Sequence, residues 1–485
     1  MRRITRREKA CAATLAAVAF GGTVAVVAAI AAARFAPPPV FSEPRVLGDH
    51  ALKDDVTSNL FGGPSVQRNA DITTDGKGAW VAVWHSTEPV GEDVDGTYDI
   101  VLSRSSDGGK TWSAETVLSK DTDGNRRDDL SPTVRTDGKG LWLAAWSARG
   151  TLGAKLGVDA DLLVVRSVDD GATWSDPVSL NTSAEHDWGN DFDVRLTNDA
   201  KGAWVAVWAS TETFRGKYGG DSDIFSARSA DGGRTWSDPA VLNTTAAKDL
   251  GFDVTPDVAT DGSGVLLAVW SSGDSLAGRI GIDRDIVISR STDAGTTWSD
   301  PQPLNSQAQR DEGSDWAPRL ATDGHGKWIV AWSSAVNLEG IRGGDRDIMY
   351  AMSADQGATW FKASNLDSDA NNDAREDTDP VIVTDARGRW AVVWQSWGGI
   401  GYADGSDADV LMSFSEDDGA TWSPPGPLNH AANRDSVDDL LPTIATDGGG
   451  QWIGLWQSFF PSTGSVEHAV WRVVASTATT VGTTE

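Results

Sequence analysis

The chain has 485 residues and a formal charge of −29, with 23 tryptophans, six histidines and a single cysteine. That length suits one large domain, and such acidity excludes nucleic-acid binding and disfavours anionic membrane surfaces, which both need basic patches. Cys11 being the only cysteine, the rest of the chain can form neither a disulfide nor a thiol site.

The first ten residues carry four Arg, one Lys and one Glu, and an uncharged, mostly apolar run follows to Ala33. A basic start before an apolar run marks residues 1–36 as a signal peptide or an N-terminal membrane anchor, with Ala31–Ala33 as the small-residue cleavage site. Either way the remainder, near −33 in charge once the +4 of the first ten residues is set aside, is expected outside the cytoplasm and touches a membrane only through this segment. Next comes a short strand, Phe41–Leu47.

From there the chain repeats with a period of 62 residues. Each unit opens on a strand of the Ser131–Arg135 type and turns through D-G-x-G, where glycine supplies positive φ. A second strand of the type A-W-V-A-V-W follows, apolar throughout and therefore buried on both faces. Its closing Trp recurs seven times, at 84, 146, 208, 270, 332, 394 and 456. A third strand (Asp99–Arg104) then leads through an eight-residue motif, S-x-D-x-G-x-T-W, into a fourth (Trp112–Leu118). The motif occurs six times, beginning at Ser105, Ser167, Ser229, Ser291, Ser353 and Ser415.

Four antiparallel strands per unit, repeated radially, make an all-β propeller. Seven inner hairpins predict seven blades, with six as the second choice. The last unit offers a third strand, Ala469–Val474, but no fourth. Phe41–Leu47 supplies it, closes the ring and removes the open sheet edges. The domain is thus expected over 37–475, with 476–485 as a Ser/Thr-rich tail.

The eight-residue motif resembles the Asp-box, or BNR repeat, and its recurrence on a propeller is similar to the sialidase (neuraminidase) superfamily. The motif's aspartates, Asp107, Asp169, Asp231, Asp293, Asp355 and Asp417, are expected to be structural: each accepts hydrogen bonds from its own turn. In the family these hairpins lie on the face opposite the substrate pocket. The resemblance implies glycan binding or an exo-sialidase-like glycoside hydrolase, but the R-I-P tripeptide is missing and only four tyrosines exist, Tyr98, Tyr218, Tyr350 and Tyr402. No catalytic residue transfers by motif. The alternative is a non-catalytic propeller serving as a binding or scaffold surface.

In a repeat protein, function shows where the repeat breaks. One inner-strand position reads Asp71, Thr133, Arg195, Asp257, Arg319, Val381 and Thr443. Arg195 and Arg319 with Asp257 are therefore the candidates for gripping an acidic sugar, since guanidinium pairs bidentately with carboxylate; a self-neutralising ion-pair ladder is the competing reading. Asymmetric loop residues nearby are Glu212, Tyr218, Trp397 and Tyr402. Two acidic columns recur opposite the motif hairpins, Asp99, Asp161, Asp223, Asp285, Asp347 and Asp409, and Asp129, Asp191, Asp253, Asp315, Asp377 and Asp439. They read as caps at strand starts or, alternatively, as calcium ligands; Asp93, Asp95, Asp121, Asp123 and Asn125 resemble partial calcium loops. No cofactor is required, calcium is compatible, and the expected partner is a glycan or other extracytoplasmic ligand.

Overall fold

The computed structural model describes residues 39–42, 45–47, 70–86, 97–120, 127–150, 156–157, 159–199, 201–247, 250–281, 283–305, 308–309, 313–335, 345–366, 375–398, 407–428, 438–460 and 470–479. The readings on residues 1–36, Asp93, Asp95, Asp121, Asp123, Asn125, Tyr402 and 480–485 lie outside them. Among the described residues of the unit Pro37–Glu485, all regular structure is strand, arranged as seven four-stranded antiparallel sheets. No helix there is long and apolar enough to cross a membrane.

Blade 3 shows the plan, running outward from Asp191–Asn198 through Trp204–Ser210 and Asp223–Ser229 to Ala240–Val241. The inner strands of the seven blades are Ala70–Thr74, Asp128–Thr136, Asp191–Asn198, Asp253–Thr260, Asp315–Thr322, Glu376–Thr384 and Asp439–Thr446. Each touches the next, and the seventh touches the first. The ring is closed by Arg45–Val46, which pairs with Val470–Thr479 in the register Arg45↔Ala475 and Val46↔Val474. That third strand of blade 7 runs past Val474, so residues 476–479 are ladder rather than tail.

The apolar second strand is buried at every position in blade 3 because it serves two cores. Trp204, Ala206 and Trp208 pack against Leu143 and Ala145 of blade 2, while Val205, Val207 and Ala209 pack against Leu266, Ala268 and Trp270 of blade 4. The period-2 alternation of a strand thus assigns alternate side chains to opposite neighbours. The outer strands are shorter than expected: of Trp112–Leu118 only Thr116–Val117 pairs. Ser113 Oγ accepts the Arg104 N–H at 3.1 Å in place of a backbone carbonyl. In blades 2, 3 and 4, Pro177, Pro239 and Pro301 stand just before the outer strand and have no N–H to donate.

In the Asp-box hairpins the aspartate accepts hydrogen bonds from its own turn. Asp231 Oδ1 accepts from the N–H groups of Arg234 (3.0 Å) and Thr235 (2.9 Å) and from Ser229 Oγ (2.8 Å), and Thr235 Oγ1 donates to Oδ2 at 2.7 Å. They also join blades. Gly233 has φ 77°, and a Cβ on it would lie 2.7 Å from Leu143 on the second strand of blade 2. A third-strand arginine reaches the other way: Arg104 Nε donates to the carbonyl of Asp170 in the next blade's Asp-box at 2.6 Å.

Candidate functional site in the central channel

The inner strands have neighbours on one edge only, so their channel-facing groups must find other partners. Each described inner strand from blade 2 to blade 7 carries a bulge, in blade 3 between Phe192 and Arg195, with Asp193 at φ 56°. The bulge leaves the next residue, Arg195, Asp257 or Arg319, on the channel side at the position the sequence singled out.

These side chains line a cavity of about 340 Å³ together with Asp71 and Arg135. Arg195, Asp257 and Arg319 are 6%, 7% and 5% exposed. Arg195 Nη1 donates to the carbonyl of Val194 at 2.9 Å and Arg319 Nη1 to that of Pro318 at 2.6 Å. Both carboxylates stitch neighbouring blades. Asp71 Oδ2 accepts from Thr133 Oγ1 (2.8 Å), the Val134 N–H (3.0 Å) and Arg135 Nη1 (2.6 Å). Asp257 Oδ2 accepts the Leu320 N–H at 3.0 Å.

Burial by itself would raise the Asp71 carboxyl; the Arg135 guanidinium, the Val134 N–H, Arg195 and the Thr133 hydroxyl outweigh it and hold the group below its ordinary value. For Arg135, burial opposes the charge, but Asp71 and then Asp257 raise its pKa. The charged lining therefore comprises three guanidiniums and two carboxylates.

Arg135 was missed in the sequence. Its column reads Thr73, Arg135, Thr197, Ala259, Ala321, Val383 and Ala445, so the same rule, a charge interrupting a repeat, singles it out. The cavity reaches down to Thr74, Asn198, Thr322, Thr384 and Thr446, the inner-strand ends that lead into the D-G-x-G turns. Those turns lie beside the Asp-boxes, since the Gly108 N–H donates to the Gly78 carbonyl at 3.1 Å. The cavity thus sits in the half of the channel on the Asp-box side, whereas the family resemblance points to the other face.

The acidic columns lie at the opposite ends of the strands and are bridged by a repeated asparagine. Asn181 Nδ2 donates to Asp161 Oδ1 (3.0 Å) and Asp191 Oδ2 (2.6 Å), and Asn243 Nδ2 does the same for Asp223 (2.8 Å) and Asp253 (2.6 Å). Glu212 accepts the N–H groups of Trp188, Gly189 and Phe214 at 2.8, 3.0 and 2.6 Å. Tyr218 packs edge-on against Phe214 and Phe225 as part of a core rather than as an open stacking platform. Trp397 ends the second strand of blade 6, 37% exposed.

Seven four-stranded blades around a channel, six turned by an Asp-box, define an Asp-box β-propeller. Residues 202–443 match the family model described as a BNR repeat-like domain. Over those residues the chain carries a BNR repeat-like domain, set within the seven-bladed ring. No curated protein matches it in sequence. Among solved structures it is similar to a protein of unknown function from Dyadobacter fermentans (16% identity, TM-score 0.46, covering 73% of this chain and 95% of that one). It is also similar to the Penicillium chrysogenum alpha-L-arabinanase (14%, TM-score 0.46, 91% and 99%) and to the NanB sialidase of Streptococcus pneumoniae (13%, TM-score 0.43, 90% and 70%).

Proposed function

We propose that this propeller is an extracytoplasmic glycan-binding protein whose channel cavity takes the carboxylate of a sugar acid such as sialic acid, without hydrolysing the glycan. One observation carries the reading: in a chain of formal charge −29, the cavity gathers Arg135, Arg195 and Arg319 against Asp71 and Asp257. A locally positive concavity in an acidic molecule selects an anion. Its volume of about 340 Å³ is at the small end of ligand pockets and suits a single sugar ring better than an oligosaccharide.

Hydrolysis is left out on chemical grounds. A retaining mechanism of the sialidase kind needs a tyrosine nucleophile activated by a glutamate, and neither residue type is among the described residues that line the cavity. Asp71 accepts the Val134 N–H of the next blade and is held below its ordinary value, which disfavours proton donation by it, and Asp257 is engaged by the Leu320 N–H.

The test is calorimetric titration of the full chain with sialic acid, a uronic acid and neutral hexoses, beside a release assay on sialylated glycans. Binding of the acids alone, with no sugar released, is the expected result. Arg195→Ala and Arg319→Ala should each weaken binding more than tenfold, since a charge-assisted contact contributes about 1.5–3 kcal/mol. Unchanged binding in both variants, or none in the wild type, returns the cavity to the competing reading, a self-neutralising network that holds the blades together. The inter-blade bonds of Asp71 and Asp257 are the observation that favours that alternative.

A further inference from the structure

We infer that Asp159, Asp161 and Asp187 form a binding site for a divalent hard cation, calcium, at the junction of blades 2 and 3 on the face opposite the Asp-boxes. Each residue offers one carboxylate oxygen, and these oxygens all lie within 4.8 Å of one another. Asp159 and Asp161 stand at the start of the third strand of blade 2, and Asp187 lies on the connection into the inner strand of blade 3.

The Asp159 side chain points to a ligand independently of the clustering. It is 7% exposed, and among the described residues neither of its carboxylate oxygens has a hydrogen-bond partner; Asp187, at 9%, has one oxygen in the same state. Burying carboxylate oxygens without partners is costly, and the cost is removed when a cation coordinates them. Burial, and after it the charges of Asp187 and Glu212, push Asp159 up to about 6; burial, Asp187 and Asp159 push Asp161 up to about 7. The carboxylates crowd one another where a cation would relieve them.

The surrounding bonds hold this geometry. Asp161 is fixed by the Gly157 N–H (3.2 Å) and by Asn181 (3.0 Å). A Cβ on residue 157 would meet the Asp159 carboxylate, so glycine there leaves that side chain in its place. Glu212 pins the segment that carries Asp187 by accepting the N–H groups of Trp188 and Gly189. Asp191 is spent elsewhere, on Asn181 and on the ring N–H of Trp208 at 3.1 Å, and acts as a positioning residue. An all-oxygen donor set without His or Cys fits calcium rather than zinc or copper.

The 62-residue period carries the three-aspartate pattern to Asp221, Asp223 and Asp249, to Asp283, Asp285 and Asp311, to Asp345, Asp347 and Asp373, and to Asp407, Asp409 and Asp435. The third member of each set lies outside the described residues. At the junction of blades 1 and 2 the pattern breaks, with Thr97 and Asn125 in the two outer positions.

The experiment strips the full chain with a chelator and titrates it with calcium by calorimetry. In parallel, terbium luminescence is excited through tryptophan, for which Trp188, 82% exposed and adjacent to Asp187, is a donor. Calcium is expected to bind, to displace terbium and to raise the melting temperature. Asp159→Asn should lower the number of ions bound per chain by one, and Asp176→Asn, at an exposed Asp-box-side loop, should leave it unchanged. Asp187→Asn is the second variant should the first not fold. No calcium uptake by the stripped wild type, or the same stoichiometry in both site variants, overturns the inference.

Discussion

Asp231 shows what a single Asp-box side chain contributes. Its carboxylate ties two backbone N–H groups and two hydroxyls of its own hairpin, and Ala in its place leaves those donors to solvent. Asp231→Ala is expected to lower stability by about 1–2 kcal/mol, the scale of lost hydrogen bonds at a partly exposed turn, while ligand affinity stays as in the wild type; chemical denaturation and calorimetry check both. The same bonds set a pH dependence. The Thr hydroxyl and then the Thr N–H at the seventh motif position hold Asp107, Asp169 and Asp355 at about 2. Because the folded value lies below the unfolded one, the unfolded chain binds more protons between them. This contribution is complete above about pH 4 and is lost as pH falls through about 2. Urea midpoints between pH 5 and 2 should fall steeply in the wild type and less so in Asp107→Asn.

At the scale of the hairpin and the blade, the fourth and fifth Asp-box positions behave differently. Both take positive φ, yet the fourth is occupied by Asp170, Ala294, Gln356 and Asp418 as well as by glycine. The fifth is always glycine, because a Cβ there meets the second strand of the preceding blade, as at Gly357, where it would overlap Leu267. Gly108→Ala, with nothing within 4 Å, should therefore cost about 1 kcal/mol from backbone strain alone, and Gly357→Ala about 2–4 kcal/mol once overpacking is added. Comparing the two unfolding free energies tests this.

The elements also show how much of the molecule was legible in the chain. Seven inner hairpins, their order and the closing role of residues 45–46 follow from a period without slippage. The length of the outer strands does not, because a serine hydroxyl and prolines replace ladder bonds that hydrophobic pattern alone takes to be present. Arg195, Asp257 and Arg319 were found as breaks in one repeat column, but Arg135 stands in a different column two residues along. Asn181 and Asp187 escaped notice because their partners are joined only when blades 2 and 3 pack side by side.

At the scale of the whole molecule, closure rests on few bonds. Arg45 and Val46 pair with Val474 and Ala475, and the Ser42 N–H donates to the Thr477 carbonyl at 2.9 Å. Removing residues 39–47 would leave blade 7 with three strands and the Val470–Thr479 edge unpaired, a template for association with other chains. The truncated chain is expected to melt lower and to self-associate, read by light scattering at rising concentration; a monomer with the wild-type melting temperature would show that closure contributes nothing.

That same pairing has a temporal side. A ribosome makes Arg45 and Val46 among the first residues of the domain and their partners among the last, more than 400 residues later. Six blades can form in order of emergence, each from consecutive chain, but the seventh has to wait with one strand already made and three still to come. Until release, the nascent ring is an open arc whose first and last sheets each show an uncovered face. Anything that shields the early segment during that interval would govern how much of the newly made chain reaches the closed state.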